Sequence, residues 1–301
     1  MRILLTGVTG QVGWELQRTL WTLGEVISAG RSVNNAVQID LSQPDTIRRT
    51  IREVKPNLIV NAAAYTDVDK AESQPELAMT INGIAPGLMA EEAKLISAAI
   101  IHYSTDYVFD GKKTTPYIEQ DKPAPQNTYG KTKLAGEQAI QAVGVPHLIL
   151  RTSWVYGLRG KNFLLTMLKL ATEREEIRVV NDQIGAPTWN RMIAESTAQI
   201  LSQATESVSG FLATKSAIYH LSASGQTSWY GFAKSIFEQD IKYSERRMQR
   251  LVAIASEQYP TAAIRPAYSL LSNQKLSHTF GLALPDWERT LDLVLEPHSF
   301  R

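Results

Sequence analysis

Met1–Gln11, MRILLTGVTGQ, followed by Val12 and Gly13, sets a short apolar run directly before three glycines, Gly7, Gly10 and Gly13, and a helical pattern begins immediately afterwards. That order predicts a strand, a glycine turn and a helix N-terminus. The first glycine permits the tight turn, the second lets backbone approach a pyrophosphate, and the third lets the helix sit close on the strand. Unpaired N–H groups at the helix start then face the phosphates. The stretch therefore predicts a Rossmann-type, doubly wound parallel sheet that binds a dinucleotide.

The rest of the chain extends this pattern. Apolar runs at Ile3–Leu5, Val26–Ile27, Leu58–Val60, Ala98–His102 and His147–Leu150 alternate with helically spaced stretches around 14–23, 45–54, 76–94 and 132–142. Repeated βαβ units explain that alternation most economically. Beyond Arg151 the rhythm loosens, with helices expected near 163–172, 192–204 and 230–240 and strands near 177–180 and 218–221. Residues 1–155 are thus expected to form the dinucleotide-binding domain and 156–301 a smaller α/β substrate-binding lobe, with the strands near 177–180 and 218–221 as candidates to rejoin the main sheet.

Composition narrows the function. The 301 residues are 44% hydrophobic and 20% charged, enough to bury a full core. A net charge of +1, from 31 basic and 30 acidic residues without a basic block, speaks against nucleic acid or an anionic membrane as partner. The absence of cysteine removes disulfides and thiolate chemistry. With no run approaching the ~20 apolar residues of a membrane span and no signal-peptide pattern, the expectation is a soluble, cytoplasmic protein.

Chemistry is suggested by Tyr129 and Lys133, four residues apart at an expected helix start, where both side chains share one face. Lowering a tyrosine from its usual pKa near 10 to neutrality takes about three units, or roughly 4 kcal/mol; a neighbouring ammonium is the natural source. Upstream, the strand ending His102-Tyr103-Ser104-Thr105-Asp106 offers Ser104 or Thr105 to the same cleft, where a hydroxyl can donate to a carbonyl oxygen that gains charge. The five histidines, 102, 147, 220, 278 and 298, show no pairing and read as structural or surface groups.

The G-x-x-G-x-x-G spacing points to the short-chain dehydrogenase/reductase variant. Together with Asn61–Glu72 (NAAAYTDVDKAE), His102–Gly111 (HYSTDYVFDG), Tyr129–Glu137 (YGKTKLAGE), Arg151–Gly157 (RTSWVYG) and Asn181–Thr188 (NDQIGAPT), the chain resembles the dTDP-4-dehydrorhamnose reductase family. The resemblance implies hydride transfer from a reduced nicotinamide to C4 of dTDP-4-dehydro-β-L-rhamnose, giving dTDP-L-rhamnose. It implies Tyr129 as proton donor, Lys133 as the group that tunes it and holds the nicotinamide ribose, and Thr105, rather than Ser104, as the hydroxyl that orients the carbonyl. It implies cofactor contacts at Gly7, Gly10, Gln11, Val12 and Gly13, at Asp40 and Leu41 beside the adenine, and at Ala62, Ala63 and Ala64. Thr105, Asp106 and Trp154 are implied at the sugar nucleotide.

Cofactor choice has its own signal in Ser28-Ala29-Gly30-Arg31-Ser32, which carries glycine where NAD-binding relatives place an acid. No carboxylate opposes a 2′-phosphate there and Arg31 can pair with one, so NADPH is expected, with NADH as the second acceptable donor. Some family members are Mg²⁺-linked dimers; Glu15 and Glu288 match their glutamates, but Arg191 stands where a third is expected. The reading leaves Mg²⁺, and monomer against homodimer, open. A nucleotide-sugar epimerase, another 4-ketoreductase and a non-catalytic NADP-binding regulatory subunit are the competing readings; a dehydratase would need a second acid where Tyr107 follows Asp106.

Overall fold

The computed structural model describes residues 1–31, 37–239 and 246–296. Ser32 and His298 lie outside the described residues. The strands are β1 Arg2–Thr6, β2 Glu25–Gly30, β3 Val37–Gln38, β4 Leu58–Asn61, β5 Ala99–Thr105, β6 His147–Thr152, β7 Val155–Tyr156, β8 Glu176–Val180, β9 Ile184–Gly185, β10 Thr188–Trp189, β11 Ala217–His220, β12 Thr227–Ser228 and β13 Arg250–Ile254. The helices are α1 Gln11–Leu20, α2 Pro44–Val54, α3 Val68–Ser73, α4 Pro75–Met79, α5 Ala85–Leu95, α6 Thr128–Val143, α7 Phe163–Glu173, α8 Asn190–Leu201, α9 Val208–Lys215, α10 Trp229–Gln239, α11 Gln274–Phe280 and α12 Trp287–Leu295.

Seven strands form one sheet in the order β11-β6-β5-β4-β1-β2-β3, with every pairing parallel. β4, β5 and β6 are buried at every position, as strands covered on both faces must be. The chain runs outward from β1 through β2 to β3, then returns to build β4, β5 and β6 on the other side. A crevice opens above such a reversal, at the carboxyl ends of the strands.

The two faces of this sheet are covered from different parts of the chain. On one, Ile47 and Ile51 of α2, Met89 and Ala90 of α5 and Ile140 of α6 pack on Leu4, Ile59, Ile100 and Ile149. On the other, Leu16 and Leu20 of α1 share the cover with Ile193 and Ile200 of α8, Leu212 of α9 and Phe280 of α11. The second half of the chain thus supplies most of one face and also β11, which pairs with β6.

A separate core joins Leu164 and Met167 of α7, Ile177 and Val179 of β8, Phe232 and Ile236 of α10 and Trp287 and Leu291 of α12. Of the two strands considered for the main sheet, the one at 217–220 lies in it. The one at 176–180 pairs with β13 instead, because Ile177 and Val179 are held in the core of α7 and α10. Among the described residues, no helix is long and apolar enough to cross a membrane.

Candidate active site

Above β1, β2, β4, β5 and β6 lies a cleft of about 880 Å³. Gly7, Gly10, Gln11, Val12, Arg31, Asp40, Leu41, Ala62, Ala63, Ala64, Thr105, Asp106, Tyr129, Lys133 and Trp154 all line it. Gly13 does not: it packs on the loop below, where an added Cβ would fall 2.1 Å from the Gly7 carbonyl oxygen. Gly7 itself has φ +75°, and its Cβ would meet the Ala62 backbone at 2.5 Å. α1 starts at this loop with no side-chain cap and no acid in its first turn, so its N-terminal N–H groups remain free for an anion. Arg31 is exposed at the end of β2, and the Asp40 carboxylate is engaged by the Ser42 N–H (2.9 Å) and hydroxyl (2.7 Å).

The reacting groups are placed by α6 and β5. The Asn127 side chain caps α6 by accepting from Gly130 N–H at 2.8 Å, and it donates to the Ile264 carbonyl at 2.7 Å. Gly130 lets the first turn press on the 106–108 segment, since a Cβ there would sit 2.2 Å from the Tyr107 carbonyl oxygen. Tyr129 is thereby held edge-on to Tyr107, ring centres 5.7 Å apart. Burial pushes Tyr129 up to about 12, opposed by the Thr105 hydroxyl and assisted by Asp106. Thr105 ends β5, accepts from Tyr107 N–H at 3.2 Å and donates to Asp106 Oδ1 at 3.0 Å.

The ammonium expected to pull Tyr129 down is committed elsewhere. Lys133 Nζ donates to the Tyr103 carbonyl at 2.6 Å and meets His102 Nε2 at 3.0 Å. Burial draws Lys133 itself down to about 8, with Glu137 opposing. The correction is physical: desolvation outweighs the Thr105 hydrogen bond, so Tyr129 holds its proton more firmly than a free tyrosine does.

Asp106 is buried, and desolvation raises it to about 6 against hydrogen bonds from Ser269 and Thr105. Its Oδ2 has no hydrogen-bond partner. Trp154 adopts φ +46°, and its indole lies flat on Trp229 at 3.5 Å between ring centres. Gly185 makes room for it, because a Cβ there would strike the indole at 2.5 Å.

Sequence reasoning missed several groups that shape this site. His102 is fully buried on Lys133, and Asn61 bridges it to Thr6 and Ala63. Asn82 sits in a π-turn between α4 and α5 and clasps both backbone groups of Tyr65, beside the cleft. Arg265 forks onto Asp69, tying the 263–265 segment to α3. A polar residue closing an otherwise apolar run of residues was the available signal for Asn61 and His102.

The Glu15 carboxylate is taken by Arg18 at 2.8 Å and Arg191 at 3.3 Å. Two guanidinium groups already neutralise it, so these residues do not fit a divalent cation. Among the described residues, no group of three histidine, aspartate or glutamate side chains could hold a metal ion.

Residues 1–299 match the family model described as RmlD substrate binding domain. Over 299 residues the chain is 48% identical to the dTDP-4-dehydrorhamnose reductase of Burkholderia thailandensis, covering 98% of both. The fold superposes on the crystal structure of a dTDP-4-dehydrorhamnose reductase from Clostridium acetobutylicum with a TM-score of 0.86, 35% identity and 98% coverage of each chain. It also superposes on that of the Bacillus anthracis enzyme, solved in complex with NADP, with a TM-score of 0.84, 34% identity and coverage of 97% and 98%.

Proposed function

Because the chain belongs to the dTDP-4-dehydrorhamnose reductase family and is an NADPH-dependent oxidoreductase of dTDP-rhamnose formation, we propose that Tyr129, Thr105 and Lys133 carry its reduction of dTDP-4-dehydro-β-L-rhamnose to dTDP-L-rhamnose. NADPH supplies the hydride that goes to C4. Tyr129 donates the proton that the C4 oxygen gains, so the ketone takes up one hydride and one proton and leaves as a secondary alcohol. The observation that carries this reading is the meeting, in one cleft, of a half-buried tyrosine that keeps its proton with an uncapped helix N-terminus on a glycine loop.

Each remaining residue then has a task. The first turn of α1 with Gly7, Gly10, Gln11 and Val12 receives the pyrophosphate, while Asp40 and Leu41 flank the adenine and Ala62–Ala64 line the path between. Gly13 acts from below by seating α1 on the loop. Arg31 pairs with the 2′-phosphate, which favours NADPH and leaves NADH as the weaker donor. Lys133 holds the nicotinamide ribose, and Thr105 donates to the carbonyl oxygen as charge develops there. Asp106 and Trp154 contact the sugar nucleotide. The protein works in the cytoplasm as a monomer or homodimer, without a shared cation at Glu15.

The test is consumption of NADPH and of NADH by purified protein, with the 4-keto sugar nucleotide generated in the same vessel and product stereochemistry read by NMR. Turnover to dTDP-L-rhamnose that is faster with NADPH and lost in Tyr129→Phe is the expected result. Tight NADPH binding with no turnover would overturn it in favour of a binding subunit, and a product epimeric at C4 would assign a different 4-ketoreductase.

A further inference from the structure

His102 lies behind Lys133, fully buried, and takes no part in the reaction outlined above. Its hydrogen bonds constrain where its proton sits. Asn61 Oδ1 accepts from the backbone N–H of Ala63 at 3.2 Å and from the Thr6 hydroxyl at 2.7 Å. A backbone N–H can only donate, so the amide oxygen of Asn61 must face Ala63, and its NH₂ group faces His102 Nδ1 at 3.1 Å. Nδ1 is then an acceptor and carries no proton. A neutral imidazole has one N–H, which falls on Nε2, 3.0 Å from Lys133 Nζ. Two N–H groups pointed at one another make no hydrogen bond, so the amine must accept. An amine accepts only when it is neutral.

We propose that His102 is a positioning residue for Lys133: pinned by Asn61 as the Nε2–H tautomer, it donates to the Lys133 amine and favours the neutral amine over the ammonium. The other groups around Lys133 do not reverse this. On α6, Glu137 favours the ammonium, but Arg151 of β6 grips its carboxylate through both oxygens. Tyr129, on the same helix, holds its proton and is uncharged at neutral pH. β5 adds the Tyr103 carbonyl, which accepts from amine and ammonium alike, and Asp106 follows it at the cleft wall. His220 of β11 is a neutral imidazole near Arg151. The downward shift of Lys133 agrees in direction.

The consequence for catalysis rests on the proposed proton delivery by Tyr129, whose neighbour on α6 is Lys133. Delivery of its proton leaves Tyr129 an anion, which an ammonium stabilises and a neutral amine does not. The rate should therefore fall as pH rises through the titration of Lys133, and His102 should bring that fall to lower pH than burial alone would. In His102→Gln, a carbonyl oxygen can accept from the ammonium, and the alkaline limb of kcat should move up by about one pH unit or more. An unmoved limb in the folded variant would overturn the proposal.

A second measurement needs neither a variant nor the sugar nucleotide. Nitrogen-15 NMR of histidine-labelled wild-type protein, with His102 assigned through its backbone neighbours, reads the tautomer directly. A bare Nδ1 with protonated Nε2 is expected across neutral pH; protonated Nδ1 overturns the proposal even if His102→Gln fails to fold. Loss of reductase activity with the expected tautomer intact would instead count against the assigned substrate.

Discussion

Two buried basic side chains meet α6 one helical turn apart, Lys133 on the helix itself and Arg151 of β6 against Glu137, and they are treated in opposite ways. Arg151 is 1% exposed and its charge is matched: its Nε and Nη2 donate to the two oxygens of Glu137 at 2.9 and 2.6 Å, its guanidinium lies 5.0 Å from the Phe109 ring centre, and Nη1 is left without a hydrogen-bond partner. Lys133 is equally buried but, among the described residues, hydrogen-bonds only to a neutral imidazole and a carbonyl. The first arrangement neutralises a charge so that the α6–β6 contact can form. The second leaves a charge unsettled where a ligand arrives. The comparison teaches that residues on the Lys133 side should cost rate when removed, and those on the Arg151 side should cost stability.

The hardest blow to the Lys133 side is Tyr129→Phe, which should lower kcat by about 10²–10⁴-fold while changing stability by less than ~1 kcal/mol. Steady-state kinetics with a fluorescence titration of NADPH checks it, and a matching loss of cofactor affinity would blur the division. On the other side, Arg151→Met leaves the Glu137 carboxylate buried alone and should cost about 3–5 kcal/mol, read by urea unfolding. Pairing it with Glu137→Leu should restore most of that loss. If the double variant is no more stable than the single one, the pair is more than a neutralised charge.

Asp106 falls between the two sides and gives a pH-dependent test. Its carboxyl is raised in the folded protein to about 6, so the native state binds the extra proton and stability falls as pH climbs from the unfolded value near 4 through 6. Asp106→Asn removes that loss: it should be up to about 3 kcal/mol more stable than wild type at pH 7 and no more stable at pH 4. Melting temperatures at the two values decide it, and an equal difference at both would rule out the carboxyl's ionisation as the cause. The mildest effect is expected at exposed Arg31, where Arg31→Ala should reduce the preference for NADPH over NADH about tenfold and leave stability within ~0.5 kcal/mol. An unchanged preference would make Arg31 a solvated loop charge.

The parts of this molecule set by local rules were legible from residue order. The glycine turn, the βαβ alternation and the Tyr129–Lys133 face all depend on spacings within a few residues, and each falls where the sequence places it. β3 was missed because two residues carry no periodicity, and β13 because its partner β8 lies more than 70 residues away. The charge states were hidden for a different reason. Whether Lys133 shifts Tyr129, or is itself shifted, depends on which atom its ammonium touches, and that follows from the register that sets Asn61 beside His102. Trp154 and Trp229, 75 residues apart, meet face to face without a local signal in either segment.

The sheet borrows β11, and most of the cover on one face, from residues beyond 190. This has a consequence for how the protein is made. A nascent chain that has emerged to residue 160 has six of the seven strands, but one face has only α1 over it, and β6 is still an open edge. The glycine loop can exist at that stage without a closed core beneath it. A truncation at 160 should therefore aggregate rather than yield a small nucleotide-binding protein.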